Sequence, residues 1–406
     1  MNLLESIMTN AAAMTELRRD LHAHPELSYE EERTAGRVAA QLAEWSIPVH
    51  RGLGKTGVVG IVHGRDGGKN GRAVGLRADM DALPIAELNT FAHKSRHPGK
   101  MHACGHDGHM AMLLAAAQYL AATRAFDGTV VLIFQPAEEG GGGARTMIAD
   151  GLFERFPVEA VFGLHNWPGL PEGVLAVSPG PVMASSSDFH IVLTGKGGHA
   201  AMPHLGTDPV VLACQLVQAF QTIVTRNKDP LAAGVISVTM IHAGEADNVI
   251  ADACQLHGTV RTFDTATLDL IERRMRELTG GLCAAFGAGH TFEFHRNYPP
   301  TINTAYEADF ARRVMREIVG DAQTQPQEPS MGAEDFAFML QTRPGAYAFI
   351  GSGTGAHTPA GHDPGPCALH SARYDFSDAL IPLGATYWAR LAESWLAHQP
   401  PHLVVP

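Results

Sequence analysis

The sequence predicts an α/β protein interrupted by an α+β insertion, and three observations carry that reading. Short apolar runs alternate with helical patterns up to about residue 165. The pattern then changes to the order βαββαβ over 184–297. After Pro299-Pro300 the alternation resumes. At 406 residues the chain is too long for one average domain.

The elements follow in order. Apolar runs at 58–62, 73–77, 129–135 and 160–165 read as strands, and 34–45 and 109–124 read as helices. The second helix, HMAMLLAAAQYLAATR, is apolar on most faces and must pack against a sheet. Such alternation predicts a largely parallel sheet. Further on, 188–194 alternates as a strand, and Asp208-Pro209 is a start signal for a helix over 208–226. Strands at 234–242 and 254–263, a helix at 265–286 and a strand at 291–296 complete a ferredoxin-like order. The 208–226 helix is apolar over more than half its circumference. That surplus points to contact with a second copy of the chain. A helix at 306–319, a strand at 346–350, a Gly/Pro/His loop at 351–366 and a helix at 378–397 close the chain. The expected domains are 1–183 with 298–406, interrupted by 184–297.

Composition bounds the function. Hydrophobic residues make up 45% and charged residues 18%, which excludes global disorder. Lys+Arg is 30 and Asp+Glu 42, a net charge of -12 that argues against nucleic acid as a partner. No apolar stretch reaches the roughly 18 residues of a membrane span. The N-terminus carries an early Glu5 and no basic region before an apolar block, so no signal peptide is expected. Five widely spaced cysteines argue against a disulfide framework and for a cytoplasmic location.

The densest cluster is Met101-His102-Ala103-Cys104-Gly105-His106-Asp107-Gly108-His109. Cys104 and His106 flank a glycine, so the backbone can aim both at one point, and sulfur with imidazole favours zinc or another late first-row metal. A partly buried thiol among surface histidines is the plainer reading. The strand at 129–135 ends in Pro136-Ala137-Glu138-Glu139-Gly140, at the sheet edge where α/β sites are built. Adjacent carboxylates are costly to bury without a cation. With one, a single carboxylate binds it and the other remains a general base. An exposed acidic turn is the alternative. His165 ends another strand, and His370 follows the Gly/Pro/His loop. In Arg77-Ala78-Asp79-Met80-Asp81, the two aspartates share a face, as ligands or as acceptors that orient a ligating imidazole. His199, in Lys196-Gly197-Gly198-His199, sits in a glycine-flanked loop of the insertion.

Read jointly, these segments resemble the M20 metallopeptidase superfamily, in its aminoacylase-like branch of hippurate and auxin-conjugate hydrolases. The match runs from Arg18-Arg19-Asp20-Leu21-His22-Ala23-His24-Pro25-Glu26 to Tyr374-Asp375-Phe376, through RADMDALP, GKMHACGHDGHMAMLL, QPAEEGGGGA, GLHNWPG, GKGGHAAMPH, GTVRTFD and GAEDFA. The resemblance implies an aminopeptidase-like catalytic domain with an inserted lid, through which homodimers or dimer-based oligomers form. It implies two divalent ions, of zinc, manganese, cobalt or nickel, on Cys104, His106, Glu139, His165 and His370. Glu138 matches the general base, and Asp81 the carboxylate that steers a ligand. His199 matches a lid histidine that polarises the scissile carbonyl in the partner subunit's site. Asn248 and Arg261 are similar to residues that bind the substrate's carboxylate. The family pattern Asn-Val-Ile-Pro is broken here by Ala251. The implied substrate is a small N-acyl amino acid. A metal-dependent carboxypeptidase or dipeptidase, or an N-acetyl-diaminopimelate-type deacetylase, is the alternative within the family. Outside it stand a cysteine hydrolase using Cys104 with His106 and a non-catalytic metal-binding protein.

Overall fold

The computed structural model describes residues 3–354 and 368–398; most of the expected 351–366 loop, and Cys367, lie outside the described residues. The chain begins with helices α1 (Leu3–Met8), α2 (Ala11–Ala23) and α3 (Glu32–Glu44), then strands β1 (Val49–Leu53), β2 (Gly57–His63) and β3 (Ala73–Asp79). Helix α4 (His106–Thr123), β4 (Thr129–Gln135), α5 (Gly143–Ala149), β5 (Ala160–Trp167) and β6 (Leu175–Ala176) follow. Next come β7 (Ser186–Thr194), α6 (Pro209–Thr222), β8 (Gly234–His242), β9 (Ala253–Thr262), α7 (Thr265–Phe286) and β10 (Gly289–Tyr298). The last elements are α8 (Ala305–Val319), β11 (Thr324–Gln325), β12 (Gly345–Gly351) and α9 (Leu380–Ala397). Among the described residues, no helix is long and apolar enough to cross a membrane.

The chain divides into two units. The first holds the residues up to Gly180, Ile302–Glu328 and those from Phe338 on. Its sheet has the order β1-β2-β4-β3-β5-β12-β6-β11. The pairs β3–β4, β3–β5 and β5–β12 are parallel, whereas β1–β2, β2–β4 and β6–β12 are antiparallel. The edge pair β6–β11 is parallel as well, so the largely parallel sheet expected from the sequence is interrupted at β1–β2, β2–β4 and β6–β12. The three residues between β1 and β2 hold no helix, so that connection makes a hairpin and reverses direction.

Helix α4 packs against β3 on one side and against α2 and α9 on the others. That cover explains its apolar circumference: Met110–Ala117 is buried throughout. It starts at His106, three residues earlier than its apolar pattern, because Gly105 precedes it in a left-handed conformation (φ 88°).

Helix α2 escapes a reading by hydrophobicity, since Arg18 and His22 are buried beside Met14, Leu17 and Leu21. Buried charges need partners. Arg18 donates to Asp107 at 3.2 Å, Asp375 at 2.8 Å and Asp378 at 2.8 Å. His22 meets Asp107 at 2.9 Å and Glu87 at 3.3 Å. This network pins α2 to the start of α4 and to the segment before α9.

The second unit comprises Pro181–Thr301 and Pro329–Ala337. Its sheet, β8-β9-β7-β10, is antiparallel throughout. Helices α6 and α7 supply Leu212, Leu216, Ile271 and Met275 to a core shared with Ile191 and Leu256. Asp208 caps α6 by accepting the Val210 N–H at 2.8 Å, and Asp264 caps α7 by accepting the Thr267 N–H at 2.7 Å. Helix α6 is shorter than expected, because its last turn widens to a π-helical one at Ile223–Asn227.

The buried network makes stability depend on pH. Burial alone would push His22 down, but the Asp107 carboxylate and the bond to Glu87 raise it to about 9. Its folded value exceeds its ordinary 6.5, so the contribution is complete below about pH 6.5 and is lost as pH climbs towards 9. Denaturant unfolding should show stability falling across that window, and His22→Gln should flatten the slope. Equal slopes in the two proteins would refute the pairing.

Candidate metal centre

The site grows from chain segments that end at one edge of the parallel strands. Cys104 and His106 enter from the turn that opens α4, Glu138 and Glu139 from the turn after β4, His165 from the end of β5, and His370 from the segment before α9. Three overlapping donor groups are built from these residues: Cys104 with His106 and His165, Cys104 with Glu139 and His370, and His106 with Glu138 and Glu139; a further group joins His106 to Asp79 and His109. Within each group the donor atoms lie within 4.8 Å of one another. Cys104 Sγ is 3.4 Å from His165 Nε2, and His370 Nε2 is 3.2 Å from Glu139 Oε1.

The imidazoles are presented as ligands require, with one nitrogen tied back and the other facing the cluster. His106 Nδ1 donates to the Asp81 carbonyl oxygen at 2.8 Å, and its Nε2 is buried without a hydrogen-bond partner. His165 Nδ1 donates to the Asn166 carbonyl oxygen at 2.6 Å, leaving Nε2 towards Cys104. Burial, together with neighbouring His109 and His106, pushes His165 well below its ordinary pKa, which favours the neutral, ligating form. His370 sits in a left-handed conformation (φ 64°), held by its backbone N–H on the Ala103 carbonyl oxygen at 2.7 Å.

The carboxylate pair is shaped by a third carboxylate. Asp81 accepts the Glu138 N–H on one oxygen and the Glu139 N–H on the other, each at 3.0 Å. Ser28 donates to it at 2.7 Å. Both Asp81 oxygens thereby accept hydrogen bonds, and Asp81 orients the glutamate turn as well as, through its carbonyl oxygen, His106. Asp79 is likewise filled, by His109 at 2.6 Å and Arg77 at 2.8 Å. Ala137 adopts a left-handed φ of 53°, a strain of roughly 1–2 kcal/mol for a non-glycine residue. Glu31 offsets it by accepting the Ala137 N–H at 2.8 Å, while Thr56 donates to its other oxygen. Neither Ser28 nor Glu31 belongs to a motif or apolar period that marks it in the sequence. Their role exists only through space.

The donor chemistry fits divalent cations. Burial and the Glu139, Glu138 and Asp79 carboxylates push the Cys104 thiol well up. A cation reverses that logic and holds the thiolate. A soft sulfur, imidazoles and carboxylates together suit late first-row metals.

His199, Asn248 and Arg261 belong to the second unit. His199 pairs with Val249 across two short strands, and the Asn248 carbonyl oxygen accepts the Ala200 N–H at 3.0 Å. That pairing fixes the turn without the proline that Ala251 replaces. Arg261 lies on β9, half-buried, with burial lowering its pKa and no ion pair to any described residue.

Residues 75–394 match the model of peptidase family M20/M25/M40. Hippurate hydrolase of Campylobacter jejuni is 38% identical over 397 residues, covering 98% of this chain and 100% of its own. An Arabidopsis thaliana IAA-amino acid hydrolase is 37% identical over 388 residues, covering 94% and 86%. The crystal structure of a Bacillus subtilis dinuclear metal binding peptidase superposes with a TM-score of 0.82 at 33% identity, covering 96% and 99%.

The Asp81 clamp yields a direct test. Asp81→Asn turns one acceptor towards an amide N–H as a donor and slackens the glutamate turn. Zinc affinity should fall about 10–100-fold by chelator competition. Parental affinity would show that the clamp does not shape the site.

Proposed function

Because the chain belongs to peptidase family M20/M25/M40, we propose that it hydrolyses the amide bond of N-acyl amino acids in a metal-dependent reaction, releasing a carboxylic acid and an amino acid. One observation carries the reading: a buried carboxylate, Glu138, stands beside Glu139 within a thiol–imidazole donor cluster. Cys104, His106, Glu139, His165 and His370 would hold two divalent ions. Such ions polarise an amide carbonyl and make water acidic enough to be deprotonated near neutral pH.

Glu138 is the general base. It takes a proton from the attacking water and delivers it to the departing nitrogen. The Asp81 hydrogen bonds fix its backbone, so its carboxylate needs little reorganisation during the transfer. His199 donates to the carbonyl oxygen as negative charge grows there, in the site of a second copy of the chain. Its Nδ1 accepts the Ala201 N–H at 3.1 Å, which places the donor proton on Nε2. Asn248 and Arg261 take the substrate's carboxylate, and the half-buried Arg261 guanidinium, without an ion pair among the described residues, supports that assignment. Exposed Val210 and Val211 on α6, with Met240 and Ile241 on β8, support a homodimer made through this unit. The exposed free thiol of Cys214 suits a reducing cytoplasm.

The test is a panel of N-benzoylglycine, N-acetyl amino acids and dipeptides, assayed on protein of known metal content. Activity on the N-acyl compounds should vanish with EDTA and return with zinc, manganese or cobalt. Activity confined to dipeptides would overturn the substrate assignment, and activity indifferent to EDTA the metal. Glu138→Gln should lower kcat by about 10²–10⁴-fold at unchanged metal content. His199→Ala should also lower kcat and retain metal; loss of metal would make it a ligand.

A further inference from the structure

His109 lies one turn beyond His106 on α4, fully buried against the donor cluster, and the reaction above does not use it. Its ring centroid is 4.5 Å from that of His165 and 5.5 Å from that of His106. It differs from both in one respect: neither of its nitrogens is open. Nδ1 is 2.6 Å from Asp79 Oδ1, while Nε2 is 2.7 Å from Asn166 Oδ1 and 3.0 Å from the Asn166 backbone nitrogen. The chain of contacts continues in both directions. Arg77 donates to the other Asp79 oxygen at 2.8 Å, and Asn166 Nδ2 donates to the Tyr374 hydroxyl at 2.6 Å.

Three members adjoin different segments that carry donors, and the fourth adjoins the Asp81 clamp. Asp79 ends β3, two residues before Asp81. Asn166 follows His165. Tyr374 lies four residues beyond His370. The Asn166 amide and the Tyr374 hydroxyl also press on Gly105, between Cys104 and His106. A Cβ there would come within 2.3 Å of Asn166 Oδ1 and 2.5 Å of the Tyr374 oxygen. Only glycine fits that contact and the left-handed backbone together.

We propose that Asp79, His109, Asn166 and Tyr374 form one hydrogen-bonded brace that holds the Cys104–His106 turn and His165 in ligating geometry, with His109 a positioning residue and not a ligand. The reason is geometric. Donors borne by separate segments converge only if something fixes the segments to one another, and a chain of short bonds through a buried ring is stiff. Partners beyond the ligands commonly matter about 10–100-fold in metal affinity. The inference rests on the metal centre proposed above.

The experiment compares the full-length parent, His109→Gln and Tyr374→Phe. Zinc affinity and stoichiometry come from chelator competition, and the absorption of the cobalt-loaded proteins reports the geometry at Cys104. His109→Gln should bind the parental number of ions about 10–100-fold more weakly, with a shifted cobalt spectrum. Tyr374→Phe, which removes one hydroxyl, should move both readouts in the same direction by less. Loss of one ion per chain in His109→Gln would make His109 a ligand and overturn the proposal. So would parental affinity and spectrum in both variants with only a lower melting temperature. Should His109→Gln fail to fold, Tyr374→Phe decides: a parental spectrum and affinity there overturn the brace. A parent that binds no zinc or cobalt would instead refute the metal centre itself.

Discussion

Everything at the site depends on one costly arrangement, the burial of several carboxylates and a thiol in a small space. Left alone, such groups repel one another and resist leaving water. The protein meets the cost by giving nearly every buried oxygen a task. Asp81 is filled by two amide N–H groups and a serine, Asp79 by an arginine and an imidazole, and Glu31 by an amide and a threonine. Among the donors, His106 Nε2 is buried without a hydrogen-bond partner, a lone pair that a cation would satisfy.

The same principle explains what could be read in the sequence. Cys104, His106, Glu138, Glu139 and His165 were legible because each follows an apolar strand or opens an apolar helix, and those runs have a clear period. Asp79 and Asp81 were legible as a pair, with an orienting role weighed beside a ligating one, and which oxygens are occupied is fixed only through space. Ser28 and Glu31 left no trace, since Ser28-Tyr29-Glu30-Glu31 resembles any solvated turn. Helix α2 was hidden by its own chemistry: two of its inward residues are charged, so a hydrophobic period understates its buried face.

Topology shows a parallel limit. The alternation of strands and helices gave the parallel centre of the sheet, but the short link between β1 and β2 reverses direction, which no periodicity records. In the second unit the order βαββαβ matched its antiparallel sheet, because capping aspartates and alternating strands are local signals. Local signals survive in one dimension, and convergent ones do not.

The network around Arg18 has a consequence for how the protein is made. Its partners lie about ninety and three hundred and sixty positions further along the chain, at Asp107, Asp375 and Asp378. Helix α2 therefore leaves the ribosome long before two of the anions that neutralise it. The strands β7 to β10 pair within one continuous stretch, so that sheet can form during synthesis, although its unit is completed only by Pro329–Ala337. The unit that carries the donor cluster cannot settle α2 until Asp375 and Asp378 have been made, and until then the Arg18 guanidinium stays in water.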